Sequence, residues 1–332
     1  MLSRVADSIY WMARYIERAE NVARFIHVNL NLALDLGPEV EQWAPLVHIT
    51  GDDEVFYQRY NLASQENVVQ FLTLDEENPN SILSCLRAAR ENARTVRDII
   101  TSEMWEELNK FYLMVCGAEK DAPTLRSSYE FYGTIKGHGA MLEGLAETTM
   151  SRGEAWHFRR LGRLIERAEK TSRILDVKYY LLLPNADDVG APLDTNQWTA
   201  LLKSASALEM YRRKHGRITP EEVAEFLILD RDFPRSMHFC LIRAEQSLVA
   251  ITGGGPTTIR TSAEQRLGRL RAELDYANIK EIIEDGLHEF IDAFQSKLNA
   301  VGGAIFDTFF AIQPVAGGSA MAAPAGSQQA NA

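Results

Sequence analysis

Two copies of the pentapeptide Ile-Glu-Arg-Ala-Glu, at residues 16–20 and 165–169, carry the charged side chains of this chain that are best spaced for chemistry. Further charged residues follow at intervals of three or four, which places carboxylates and guanidinium groups side by side on a helix. Such groups can bind an anionic ligand through Arg, or they can pair with one another in a buried network. The candidate residues are Arg14, Glu17, Arg18, Glu20 and Arg24 in the first copy, and Arg163, Glu166, Arg167, Glu169 and Arg173 in the second.

The identity of the two copies indicates that these charged side chains have a structural or functional role beyond contact with solvent. Surface ion pairs contribute little to stability and are exchanged easily, so two solvated copies need not keep five consecutive identical residues. In one interpretation the two helices pack across a pseudo-twofold axis, and Glu and Arg form buried salt bridges between the halves. In the other, the same side chains line a shared cleft that binds a polar ligand or a loop of a partner. The structural interpretation is favoured.

Other spacing patterns provide weaker candidates. Glu154-x-x-His157 has the spacing of a metal-binding pair, but a di-iron bundle needs a second such motif and two further Glu residues. The glycine-rich stretch 253–258 lacks the Lys of a P-loop and follows a helix, which is typical of a connector. The acidic pairs at 52–53 and 187–188 lie beside predicted turns, where Asp commonly forms local hydrogen bonds. We therefore assign no catalytic residue and no metal site.

The elements that position the candidate residues are also repeated. The pentapeptides lie 149 positions apart, and Phe71–Asp75 returns as Phe226–Asp230 at an offset of 155. Matching blocks in the same order indicate an internal duplication. A helical period of apolar residues dominates the chain, and convincing alternating strands are absent. We predict an all-α protein, an internally duplicated helical bundle whose halves, about 1–150 and 151–312, are related by a pseudo-twofold axis.

Several predictions concern particular segments. We expect continuous helices over 43–60, 79–115, 195–214 and 278–310, although the apolar run 111–116 could instead be extended. The six additional residues of the second half fall around Pro184–Pro192, which predicts an exposed loop there. Residues 1–312 form the helical domain, and the Ala/Gly/Pro-rich tail 313–332 is predicted to be disordered because it has little apolar material to bury.

Composition narrows the function classes. The net charge of −11 argues against a nucleic-acid-binding protein, since phosphate binding needs a basic face. No apolar run approaches the roughly 18 residues of a membrane span, and the N-terminal sequence resembles a structural helix rather than a signal peptide. Cys85 and Cys240 occupy equivalent apolar positions, which is typical of core residues in a reducing compartment. We expect a cytoplasmic protein.

Four motifs in the right order resemble the bacterial alpha-E domain family. They are MLSRVADSIYWMARYIERAENVARF, FLTLDEENPNSILSCLRAARENARTVRD, MWEELN and TTMSRGEAWHFRRLGRLIERAEKTSRILD. The resemblance covers about residues 1–312. It implies an all-helical bacterial domain encoded beside a circularly permuted ATP-grasp ligase and a transglutaminase-like peptidase. It transfers no catalytic residues to this chain.

The resemblance implies a helical accessory subunit of a peptide synthesis or modification system. The subunit would dock on a circularly permuted ATP-grasp amide-bond ligase, which would supply ATP and Mg²⁺, and a transglutaminase-like peptidase would be a further partner. The chain itself would need no cofactor and would not be catalytic on its own. Two alternatives stay open: a stand-alone enzyme that uses Glu and Arg in a cleft between the halves, and a structural homo-oligomer.

Overall fold

The computed structural model describes residues 1–36, 43–118, 129–181, 192–254 and 259–311 of the 332-residue chain. Every regular element in these ranges is a helix, so the prediction of an all-α protein is confirmed. The helices are α1 (Ser3–Leu36), α2 (Ala44–Thr50), α3 (Asp53–Arg59), α4 (Gln65–Thr73), α5 (Ile82–Thr95), α6 (Ser102–Ala118), α7 (Tyr129–Thr149), α8 (Glu154–Leu181), α9 (Pro192–Ser204), α10 (Leu208–His215), α11 (Pro220–Leu229), α12 (Met237–Thr252), α13 (Ser262–Asp275), α14 (Ile279–Asp285) and α15 (Leu287–Ile305), after which Phe306–Phe310 forms a π-helical turn.

The four predicted continuous helices are each divided in two. Gly51, with φ at 78°, caps α2, and Gly286, with φ at 111°, separates α14 from α15. Both glycines take a backbone conformation that interrupts a right-handed helix at little steric cost. Ser206, with φ at 50°, lies between α9 and α10, and a turn at 96–101 separates α5 from α6. The run 111–116 lies within α6 and is helical.

The two helices that carry the repeated pentapeptides, α1 and α8, pack directly against each other at the centre of the molecule. A Cβ atom at Gly162 of α8 would lie 2.4 Å from the carbonyl oxygen of Tyr10 in α1. Glycine therefore permits the two backbones to approach closely at this crossing. The close approach brings the polar face of α1 against α8, and this face is buried as well as the apolar face.

Each helix of this central pair packs on two later helices of its own half. Helix α1 packs on α5 and α7, and α8 packs on α12 and α15. Local details agree: Ser81 caps α5 and Ser236 caps α12, each accepting a hydrogen bond from the backbone N–H three residues later. The Sγ atoms of Cys85 and Cys240 donate to the carbonyl oxygens of Pro79 and Pro234 respectively. These contacts agree with an internal duplication, which stays a prediction.

Three predictions fall outside the described residues. They are the inserted loop around Pro184–Pro192, of which only Pro192 at the start of α9 is described, the acidic pair 187–188 and the tail 313–332. Among the helices of the described ranges, none combines the length and the apolar character needed to cross a bilayer.

Candidate functional site

The two Glu-Arg dipeptides face each other where α1 and α8 pack. Arg18 donates from Nε to Glu166 Oε1 at 2.6 Å and from Nη2 to Oε2 at 3.0 Å. Arg167 donates from Nε to Glu17 Oε1 and from Nη2 to Oε2, both at 2.8 Å. Each Arg thus binds the carboxylate of the opposite helix through two parallel hydrogen bonds, the strongest geometry for this pair. We call these four residues the Glu–Arg clasp.

Burial and charge set the ionisation of the clasp. Glu17 is 2% exposed and Glu166 is fully buried. Burial alone would raise the pKa of each carboxyl, but Arg167 and Arg235 around Glu17 hold its pKa well below the usual range. For Glu166, burial is likewise outweighed, here by Arg18 and neighbouring cations, so its pKa is also well below the usual range. Both carboxylates are therefore ionised at neutral pH.

Beside Glu166, charged residues of both central helices pair with one another. Arg14 donates from Nε to Glu166 Oε2 at 2.8 Å and from Nη2 to Glu169 Oε2 at 3.0 Å. Arg173 donates to Glu169 Oε1 at 3.1 Å. A neutral residue completes this end, since Asn80 Oδ1 accepts a hydrogen bond from Arg18 at 2.7 Å. Arg14 therefore has two carboxylate partners on the facing helix.

Beside Glu17, the equivalent positions are paired differently. Arg163 corresponds to Arg14 at the offset of 149, yet its ion pair runs to Glu143 of α7, with Nη1 2.8 Å from Oε1. Arg235 instead donates to Glu17 Oε1 at 3.0 Å and to Glu20 Oε1 at 2.6 Å. Glu20 also accepts from Arg24, which in turn donates to the hydroxyl of Ser206. Arg235 occupies the position that is Asn80 in the first half, whereas the extra cation beside Glu166 is Lys170, at the position that is Asn21 here.

A cavity of about 290 Å³ opens between α1, α7 and α8 at the Glu17 end of the clasp. We call it the charged cavity, because four Arg and three Glu contribute to its wall. The lining residues are Met12, Ala13, Ile16, Glu17, Glu20, Met104, Gly139, Ala140, Leu142, Glu143, Arg159, Arg163, Arg167 and Arg235. Its size lies at the lower end of the range for small-molecule sites.

A second cavity, of about 270 Å³, lies at the matching place on the other side of the central pair. We call it the aromatic cavity; Tyr10, Trp11, Arg14, Ile165, Glu169, Leu298, Asn299, Gly302, Gly303, Phe306 and Phe310 line it. Its Tyr10, Arg14 and Glu169 are the counterparts of Arg159, Arg163 and Glu20 in the charged cavity. The two cavities therefore have related positions but different chemistry, and only one concentrates guanidinium groups.

Three residues of the charged cavity were missed by the sequence analysis: Arg159, Arg235 and Glu143. For Arg159 and Arg235 a signal existed, because their counterparts at the repeat offsets, Tyr10 and Asn80, are uncharged. A comparison of the positions where the two copies differ identifies both residues. The candidate residues were instead chosen from the positions where the copies are identical or similar. Glu143 lies outside the matching blocks, and only the packing of α7 on α1 brings it to the site.

The ionisation of these groups suits binding better than proton transfer. A general base is most effective when its pKa is close to the working pH. Burial alone would raise the pKa of Glu143, but the neighbouring Arg159 and Arg163 lower it. The pKa of Glu17 is also lowered, as described above. Burial raises the pKa of Cys85 and of Cys240 to about 12, which keeps both thiols protonated. Permanent cations and weakly basic carboxylates can hold and orient an anion.

The other sequence candidates line neither cavity. The carboxylate of Glu154 is 2.7 Å from the N-terminal ammonium group. Asp52 accepts a hydrogen bond from Asn80 Nδ2 at 2.7 Å, and Gly253 ends α12 in a left-handed conformation. Within the described ranges, no three His, Cys, Asp or Glu side chains converge as a metal site.

Comparisons with known proteins place the chain in a family. It is 24% identical over 337 residues to an uncharacterized protein of Mycobacterium bovis and to uncharacterized proteins of two Mycobacterium tuberculosis strains. Each match covers 93% of this chain but only 37% of the relative, so the chain spans little more than a third of their length. No solved structure matches. The dipeptide Glu-Arg occurs here as Glu17-Arg18 and Glu166-Arg167. The model of the Alpha-E family, described as a predicted alpha-helical domain with a conserved ER motif, matches residues 1–310, and the chain belongs to this family.

Proposed function

We propose that this protein is a helical accessory subunit of a bacterial peptide synthesis or modification system in the cytoplasm. In this proposal it docks on a circularly permuted ATP-grasp ligase, which supplies ATP, Mg²⁺ and the bond-forming chemistry. The task of the subunit is to hold the peptide while the ligase acts, and a transglutaminase-like peptidase is a further partner. The observation that carries the proposal is the charged cavity, whose cations suit the retention of an anionic chain end.

Two further observations support the proposal that this chain functions together with a partner protein. The match covers only 37% of each mycobacterial relative, so in those proteins the related region is joined to a longer chain. In this chain Ala140 is an exposed lining residue of the charged cavity, and its neighbour Met141 is 54% exposed. An exposed apolar side chain beside a cavity is a suitable anchor for a partner surface. We propose that the ligase covers this edge of the cavity.

A stand-alone enzyme is the second candidate, and the convergence of Glu and Arg around one cavity is the observation that favours it. The depressed pKa values of Glu17 and Glu143 weigh against it, since both carboxylates are poor bases at neutral pH. An intrinsic turnover of a peptide substrate by the purified chain would favour this candidate over the accessory subunit.

Co-expression with the circularly permuted ATP-grasp ligase of the same organism tests the docking. We expect one size-exclusion peak that contains both chains at micromolar concentration, because a stable interface buries about 1,200 Å² or more. The variant Met141→Glu places a charge beside the cavity and should separate the two chains. Tyr276→Glu is the matched control, since Tyr276 is 89% exposed and lines neither cavity. Two separate peaks for the unmodified chains would contradict the proposal.

A further inference from the structure

The charged cavity contains more positive charge than its own carboxylates balance. Each of its three carboxylates already has two guanidinium partners. Glu17 is paired with Arg167 and Arg235, Glu20 with Arg24 and Arg235, and Glu143 with Arg159 and Arg163. Arg24 adds a further cation through Glu20, and Glu147 adds a further carboxylate 3.6 Å from Arg159, so with these partners included five Arg stand against four Glu. The wall therefore has an excess of one positive charge and of hydrogen-bond donors.

The excess is concentrated at Arg163, since Arg159 pairs with both Glu143 and Glu147. The single ion pair of Arg163 among the described residues is with Glu143, whereas its counterpart Arg14 has two carboxylate partners. The Nε atoms of Arg163 and of the 4% exposed Arg159 are buried without a hydrogen-bond acceptor in the described protein. Buried donors without an acceptor carry an energetic cost that a bound acceptor would relieve. Burial, reinforced by the adjacent Arg167, also lowers the pKa of Arg163 to about 10, as expected for incompletely balanced positive charge.

The remainder of the wall is apolar and limits the size of the ligand. Met12, Ile16 and Leu142 line the cavity together with the charged groups. A volume of about 290 Å³ accepts the end of a chain rather than a large molecule. The exposed residue Ala140 marks the edge where the rest of such a chain would continue into solvent or onto a partner.

We propose that the charged cavity binds the terminal carboxylate of a short peptide, with Arg163 and Arg159 as the donors and the apolar wall against the last side chain. The choice of a peptide rests on the proposed function; the choice of a carboxylate rests on the charges. A carboxylate carries one negative charge and matches the excess of one cation. A phosphate ester carries nearly two, and the three Glu residues of the wall disfavour the second charge.

Calorimetric titration of the purified full chain at pH 7 with N-acetyl-alanyl-alanine tests the proposal, and the C-terminal amide of the same peptide is the matched ligand. We expect the acid to bind at least tenfold more tightly than the amide, because only the acid offers a charge-assisted acceptor. Arg163→Gln should weaken binding of the acid at least tenfold. Arg94→Gln is the matched control, because Arg94 is an exposed residue of α5 that lines neither cavity, and it should leave the affinity within about twofold.

A second variant separates binding from folding. Ala140→Trp keeps every charge and fills the edge of the cavity at an exposed position, so it should abolish binding with an unchanged melting temperature. Equal affinity for acid and amide, unchanged binding by Arg163→Gln, or tighter binding of inorganic phosphate than of the peptide would overturn the proposal. These titrations use the isolated chain and do not depend on the ligase. If the peptide does not bind but the ligase complex forms, the proposed peptide site is refuted and the docking proposal is not. Peptide binding without a ligase complex refutes the docking alone.

Discussion

Replacing Glu166 by alanine is expected to lower the free energy of unfolding by about 3–5 kcal/mol. Glu166 is fully buried and accepts hydrogen bonds from Arg14 and Arg18, and the ammonium group of Lys170 lies 3.7 Å away. Its removal leaves these cations in a poorly solvated position with less opposing charge. Urea denaturation followed by circular dichroism measures the change directly.

An exposed Glu provides the control for this experiment. Glu91 pairs with Arg94 on the surface of α5, where its side chain is 48% exposed. Surface pairs of this kind contribute at most about 1 kcal/mol, so Glu91→Ala should be nearly neutral. If Glu166→Ala lowered the free energy of unfolding as little as Glu91→Ala, the Glu–Arg clasp would contribute no more than a surface ion pair. The structural role assigned to the clasp would then be contradicted.

Acid is expected to unfold the protein steeply, because the carboxylates of the clasp must then take up protons. The folded-state pKa values of Glu17 and Glu166 lie well below the ordinary value of 4.5. A carboxyl with a depressed folded-state pKa contributes stability above its unfolded-state pKa and loses that contribution as the pH falls below it.

We therefore expect stability to be nearly constant from pH 7 to about pH 5 and to fall by several kcal/mol between about pH 5 and pH 2. Urea unfolding at each pH measures this slope. The variant Glu166→Gln removes one of the two titrations, so its unfolding free energy should be lower at neutral pH and should depend less on acid. An identical acid slope in the variant and the unmodified protein would contradict the depressed pKa of Glu166.

The fold class could be predicted from sequence because the 3.6-residue period of apolar side chains is a local signal. Some of the interruptions of the long helices could also be predicted from the sequence. Gly51 and Gly286 can adopt positive φ at little cost, and both interrupt a predicted helix. Ser206 gives no such signal, since serine rarely adopts a positive φ such as the 50° found there.

The candidate site was predicted only where the copies agree. The repeated pentapeptides led to Glu17, Arg18 and their counterparts, which the structure places opposite one another. The charged cavity depends on positions where the copies differ, such as Arg159 against Tyr10. It also depends on Glu143, which reaches the site through tertiary packing that no spacing in the sequence encodes. Positions that are identical in the two copies therefore identified the Glu–Arg clasp. Positions that differ between the copies distinguish the charged cavity from the aromatic cavity.

A double-mutant cycle on Glu17 and Arg167 tests most directly whether the Glu–Arg clasp joins α1 to α8. The two side chains share two hydrogen bonds of 2.8 Å across the buried helix contact. The free energy of unfolding is measured for the unmodified protein, Glu17→Ala, Arg167→Ala and the double variant. We predict a coupling energy of about 1.5–3 kcal/mol, because the second substitution costs little once its partner is gone. Additive effects, with a coupling energy below about 0.5 kcal/mol, would contradict the clasp.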